Sequence, residues 1–141
     1  MKTAVLFPGQ GSQFVGMGRD LCERFPLARS IFAQADELLG ESLSRICFEG
    51  PEEELRQTRI TQPAIYTHSV AVLRVLGLDC AGEEFMLAGH SLGEYSAYFA
   101  AGSLSFADGL RLVRRRGELM YQAGLDRPGA MAAVLGLEGA R

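Results

Sequence analysis

Lysine is nearly absent: Lys2 is the only one among fourteen basic residues, which face seventeen acidic ones. The net charge of −3 offers no basic footprint for nucleic acid or an anionic membrane surface. Cysteine is scarce too. Cys22, Cys47 and Cys80 are odd in number, far apart and without a C-x-x-C pair. That argues against a disulfide framework or a zinc site and predicts free thiols in a reducing cytoplasm. No apolar run approaches the roughly 20 residues that span a bilayer. The run over 3–7 meets Pro8-Gly9, too soon for the core of a signal peptide. There is no internal repeat and no low-complexity tract. Histidine occurs only at His68 and His90. What remains is an ordinary globular composition, 48% hydrophobic and 22% charged over 141 residues, long enough for one domain with a sizeable core.

A short run of strand formers over 3–7 leads into the turn-rich Pro8-Gly9-Gln10-Gly11-Ser12-Gln13. Helical patterns follow over 17–25 and 28–39, with Gly40 as a stop. A short piece over 43–48 and a helix start at Pro51-Glu52-Glu53-Glu54 come next. The stretch from about 63 to 76 is apolar nearly all round and predicts a buried helix. A second short strand over 85–88 runs directly into a helix over 91–101. Ser105 then caps a helix, with Asp108 three residues on. Its stripe of Phe106, Leu110, Val113, Gly117, Met120 and Gly124 faces a core, and Gly124 and Pro128 end it. Residues 130–137 read as a further strand. Strands alternating with helices predict an α/β fold with a mainly parallel sheet.

Gly89-His90-Ser91-Leu92-Gly93 fits G-x-S-x-G. The pattern alone is weak, since Gly and Ser are common in turns. Here it follows a strand and opens a helix, the context of a nucleophile elbow rather than of a plain strand–helix connection. Ser91 would sit at a helix N-terminus, with the Leu92 N–H aimed at the same spot as one donor of an oxyanion hole. The loop Gly9–Gln13 after the first strand is the candidate for the second donor; otherwise it is a glycine turn with polar decoration. It is not a dinucleotide-binding loop, because the third glycine and the closing acidic residue are missing.

Helix geometry singles out one arginine. At about 100° per residue from Val113, Arg116 falls near 300°, inside an apolar arc with Met120 and Leu112, whereas Arg111, Arg114 and Arg115 fall between about 100° and 200° on the polar side. An inward guanidinium needs a carboxylate, supplied either by an internal ion pair or by a ligand. The other arginines read as a solvated face, or as a weak attraction for the phosphates of coenzyme A.

Phe7-Pro8-Gly9-Gln10-Gly11-Ser12-Gln13, Thr61-Gln62-Pro63-Ala64, Gly89-His90-Ser91-Leu92-Gly93-Glu94-Tyr95 and Arg115-Arg116-Gly117 together resemble malonyl-CoA:acyl carrier protein transacylases and the acyltransferase domains of fatty-acid and polyketide synthases. The resemblance runs the length of the chain. It implies an α/β-hydrolase-like sheet domain with a small inserted ferredoxin-like subdomain. It implies transfer of malonyl from coenzyme A to a serine and then to the phosphopantetheine thiol of acyl carrier protein, with no metal or organic redox cofactor. Position by position, Ser91 matches the nucleophile, Gln10 and Leu92 the oxyanion-hole donors, and Arg116 the arginine that pairs with the malonyl carboxylate. Gln62 matches a glutamine near the site.

The family's catalytic histidine lies downstream of position 141, so the resemblance implies an N-terminal part: 1–127 from the sheet domain and 128–141 the first strand of the subdomain. His90 reads as a structural neighbour of the site and His68 as a core histidine. Two other readings compete. One is a serine esterase, which would need neither an inward arginine nor Gly-Gln-Gly-Ser-Gln. The other is a non-catalytic fragment, or one chain of a split enzyme that a partner chain completes; such a fragment alone is expected to be inactive and self-associated.

Overall fold

The computed structural model describes residues 2–80, 84–129 and 136. The expected strand over 130–137 lies outside them but for Gly136, as does most of the expected subdomain segment 128–141. The described elements are β1 (Thr3–Phe7), α1 (Arg19–Arg24), α2 (Pro26–Leu39), α3 (Leu43–Glu49), α4 (Glu52–Leu55), α5 (Thr58–Leu76), β2 (Phe85–Gly89), α6 (Gly93–Ala100) and α7 (Phe106–Asp126). β1 and β2 pair in parallel, from Thr3 opposite Phe85 to Phe7 opposite Gly89. The crossover between them is helical, as parallel pairing requires. The two strands therefore end side by side, and His90 N–H donates to Phe7 O at 3.1 Å, carrying the pairing one residue into the turn. The loop after β1 and the turn after β2 thus share one edge, where open α/β sheets place their ligands. The α/β arrangement with helices around a parallel sheet is the one the sequence predicts.

α5 is the centre of the core. Ile60 through Thr67 are all buried, and the helix packs against α2, α6 and α7. The Tyr66 ring stacks on Phe106 at 5.9 Å and meets Phe99 edge-on at 6.4 Å. One face of the sheet, with Phe7 and the partly buried Val5, Phe85 and Leu87, packs into this core. On the opposite face Leu6 and Met86 are 74% and 66% exposed, although parallel sheets are ordinarily covered on both sides. Among the described residues, no helix is long and apolar enough to cross a membrane.

Helix bounds differ from the sequence expectation by one or two residues at α1, α2 and α6, and by more at the start of α5. α5 begins at Thr58, five residues before the expected start at 63, so Pro63 lies inside it. An internal proline leaves the carbonyl four residues earlier without its helical partner. Here that carbonyl is Arg59 O, and Arg114 Nη1 donates to it at 3.2 Å. Arg114 also pairs with Glu41, and its Nε donates to Glu118 Oε1 at 2.8 Å. Its side chain is only 19% exposed, which corrects its placement on a solvated face; Arg111 and Arg115 are exposed as expected. The reason is long-range: an acidic residue of the α2–α3 turn and a carbonyl freed by proline both reach that side of α7. α7 in turn continues through Gly124 to Asp126, because a helical glycine costs only about 1 kcal/mol. At its start, Ser105 Oγ accepts from Asp108 N–H at 3.1 Å and donates to Asp108 Oδ2 at 2.7 Å.

Arg114→Leu is expected to destabilise the fold by about 1–3 kcal/mol, through the stranded Glu41 carboxylate and the orphaned Arg59 carbonyl. The denaturant midpoint of the variant measures this. An unchanged midpoint would remove Arg114 from the account of how α5 tolerates Pro63.

Candidate active site

The turn between β2 and α6 is built by steric necessity. Ser91 has φ 54°, the one non-glycine residue with positive φ among the described residues. A left-handed conformation costs an L-residue roughly 1–2 kcal/mol and persists only where the surroundings enforce it. They do so through Gly89 and Gly93. A Cβ on Gly89 would stand 2.0 Å from the Gly93 carbonyl carbon, and one on Gly93 would stand 2.2 Å from Phe7 O. The turn folds onto itself and against the end of β1, and Ser91 is thrust outward as an exposed residue.

The start of α6 sorts its own donors. Gly93 N–H donates to His90 O at 2.9 Å, Glu94 N–H to Ser91 O at 3.2 Å and Tyr95 N–H to Leu92 O at 3.0 Å. Leu92 N–H donates to no group among the described residues, although the Leu92 side chain is fully buried. A helix N-terminus with one spare N–H beside a serine is a ready site for developing negative charge. In the loop after β1, Ser12 Oγ donates to Gly9 O at 2.8 Å and Gly11 N–H to Gln13 Oε1 at 2.8 Å. Gln10 Nε2 donates to Thr58 Oγ1 at 3.2 Å, tying the loop to the start of α5. The Gln10 backbone N–H has no partner among the described residues. Gln10, His90, Ser91, Arg116 and Met120 line one cavity of about 710 Å³.

Arg116 enters this cavity from α7. Its Nη2 donates to Ser91 Oγ at 2.8 Å and its Nη1 to Gln62 Oε1 at 2.7 Å. Gln62 is fully buried, and its Nε2 donates to Met120 Sδ at 3.2 Å. Arg116 has no carboxylate in ion-pair range among the described residues, whereas Arg56, Arg111, Arg114 and Arg115 all have one. The internal ion pair left open by helix geometry is therefore not found there. A half-buried guanidinium with no counter-charge, bonded to an exposed serine, is suited to an anionic ligand carried past that serine.

Neither histidine bonds to Ser91. His90 is exposed on the cavity wall. His68 lies on α5 in a groove with Val5, Leu73 and Leu76, and burial pulls its pKa below the usual imidazole range, against an opposing pull from Asp20. The structure thus brings Ser91, Leu92, Gln10, Arg116, Gln62 and His90 to one place and leaves His68 outside. Sequence reasoning passed over Tyr95 and Met120. Each lies four residues after a candidate residue, Ser91 and Arg116 respectively, so the spacing from the elbow into α6 and along α7 is the signal available.

Comparison with known proteins identifies the family. The acyl transferase domain family matches residues 5–139. The chain is 53% identical over 137 residues to the malonyl CoA-acyl carrier protein transacylase of Bacillus subtilis, covering 97% of this chain and 43% of that protein. It is 54% identical over 138 residues to the polyketide biosynthesis protein ThaF of Burkholderia thailandensis, covering 98% of this chain and 11% of that one. Among solved structures, the acyl-carrier-protein-S-malonyltransferase of Bartonella henselae superposes with a TM-score of 0.83 at 50% identity, over 87% of this chain and 40% of that one. The chain spans less than half the length of each of these relatives. With a family match over nearly its whole length and an elbow, a spare helix donor and an uncompensated arginine in one cavity, the chain belongs to the acyl transferase domain family.

Proposed function

We propose that these residues form the nucleophile-bearing part of an S-malonyltransferase, which moves malonyl from malonyl-CoA to the phosphopantetheine thiol of acyl carrier protein through an acyl-serine. The observation that carries the reading is the 2.8 Å bond from Arg116 Nη2 to Ser91 Oγ, which puts a carboxylate-binding group within one acyl length of the nucleophile. The malonyl carboxylate takes over Arg116 Nη2 and frees Ser91 Oγ. A base removes the Ser91 proton as Oγ attacks the thioester carbonyl. The oxyanion that forms is held by the Leu92 and Gln10 N–H groups. The carbon–sulfur bond breaks, coenzyme A leaves as its thiol with the proton, and malonyl stays on Oγ. The carrier thiol then attacks the ester and the steps run in reverse, returning the proton to Ser91.

In this reading Gln62 anchors Arg116 from behind and His90 forms the cavity wall. The base comes from a part of the acyl transferase domain beyond these residues, since neither histidine here bonds to Ser91. The chemistry draws on no bound cofactor, because the acyl group arrives and leaves as a thioester. Three free, buried cysteines suit a cytoplasmic setting. That neither histidine among the described residues bonds to Ser91 also supports a second reading, in which these residues form a non-catalytic piece that works only when completed by a further chain. A serine esterase fits less well, because it gives the uncompensated charge of Arg116 no task.

Arg116→Ala, made in a polypeptide carrying a complete acyl transferase domain around these residues, is expected to lower kcat/KM for malonyl transfer roughly 30- to 1000-fold, the equivalent of about 2–4 kcal/mol. Acetyl transfer should hold or improve, since a neutral acyl group leaves no charge unpaired. A malonyl-to-acetyl ratio that stays within threefold of the parent would remove Arg116 from the carboxylate site.

A further inference from the structure

We infer that Tyr95 is a specificity-determining positioning residue: its ring holds the Arg116 guanidinium in place for a substrate carboxylate without consuming the charge. The Arg116 Cζ lies 5.9 Å from the centre of the Tyr95 ring, within the range of a cation–π contact. The hydrogen bonds of Arg116 account for only part of its support. Gln62 fixes Nη1 from one side, and Ser91 Oγ is an acceptor that must be given up when the nucleophile reacts. Once Ser91 is acylated, Gln62 and the ring are the remaining described supports of the guanidinium. A carboxylate in the place of Tyr95 would hold the arginine more firmly but would neutralise it and compete with the acyl group. An aromatic face attracts the cation and leaves its N–H donors directed elsewhere.

The placement of Tyr95 adds a second argument. It lies in the first turn of α6, four residues after Ser91 in the elbow and three after Leu92, the N-cap of that helix. Nucleophile, spare backbone donor and arginine support thus follow one another within five residues, from the elbow into the first turn of α6. The Tyr95 hydroxyl makes no hydrogen bond among the described residues, and the ring is part of the surface packed on the core. The ring, not the hydroxyl, carries the role.

This inference rests on the malonyl reading of Arg116, so the test separates the two. In a polypeptide with the complete domain, kcat/KM is measured for malonyl and acetyl thioesters in Tyr95→Phe, Tyr95→Leu and Arg116→Ala. Tyr95→Leu is expected to lower the malonyl-to-acetyl ratio roughly 3- to 30-fold, the range of a cation–π contact, mainly through a higher KM for the malonyl substrate. Tyr95→Phe should retain the parent ratio. Three results overturn the inference while leaving Arg116 in place: a Tyr95→Leu ratio within twofold of the parent, an equal fall for both substrates, or a Tyr95→Phe variant as impaired as Tyr95→Leu. If Arg116→Ala itself leaves the ratio unchanged, the malonyl reading fails and this inference with it.

Discussion

Ser91→Ala, made in a polypeptide carrying a complete acyl transferase domain around these residues, is expected to remove malonyl transfer almost completely, by on the order of 10⁴-fold or more in kcat. In serine proteases the loss of the nucleophile costs about 2 × 10⁶, and the greater intrinsic reactivity of a thioester narrows the gap. Alanine keeps the Cβ at a position whose φ of 54° is enforced by Gly89, Gly93 and the end of β1, so the turn should survive. Arg116 would lose one acceptor and keep Gln62. The loss should therefore be chemical: oxyanion donors and carboxylate site intact, with no atom to carry the acyl group. Transfer from malonyl-CoA to acyl carrier protein is measured beside an unfolding midpoint. A folded Ser91→Ala variant with turnover within tenfold of the parent would show that another group takes the acyl chain.

Residues 1–141 produced alone are expected to transfer malonyl far more slowly than about 1 s⁻¹, the low end of ordinary enzymes. Two independent features lead there. The chain's two histidines are both accounted for: His90 on the cavity wall, His68 in a groove on another face of α5, neither bonded to Ser91. Loss of the base is nearly as damaging as loss of the nucleophile. The second feature is packing. Leu6 and Met86 stand out from one face of the sheet, and Leu112, Leu119 and Leu125 from α7. Apolar surface of this kind on a small chain drives association, and the outer edges of β1 and β2, unpaired among the described residues, add to it. Size-exclusion chromatography with a thermal melt should show a self-associated or loosely packed chain. A monomer that unfolds cooperatively and turns over at about 1 s⁻¹ or faster would contradict both arguments and make His90 or His68 the base.

The elbow was legible because its requirement is local. Two glycines and a serine at fixed spacing, between a strand and a helix, admit few backbones, and Ser91, Leu92 and the loop at Gln10 follow. The inward turn of Arg116 was legible from one helix alone, since a 3.6-residue period places it with the apolar arc of α7. What could not be read is what depends on partners far away in sequence. Pro63 looked like a helix start because nothing near it shows that Arg114, from α7, would bond to the carbonyl it frees. Arg114 looked solvated for the same reason, its partner Glu41 coming from a distant turn. Gln62 was picked from its motif, but its burial behind Arg116 needs α5 and α7 in contact. Tyr95 stands in the elbow motif with nothing to mark this role, because a ring that steadies a cation reads like any other partly buried aromatic.

The central claim is a covalent malonyl group on Ser91. The direct measurement is to incubate a polypeptide carrying the complete domain with malonyl-CoA in the absence of acyl carrier protein, quench in acid, digest, and locate the added mass by tandem mass spectrometry. The account predicts malonyl on the peptide that contains Gly89-His90-Ser91-Leu92-Gly93, on the Ser91 hydroxyl, discharged when carrier protein is added before the quench. Malonyl on any other residue, or an unmodified Ser91 peptide during active transfer, would contradict it.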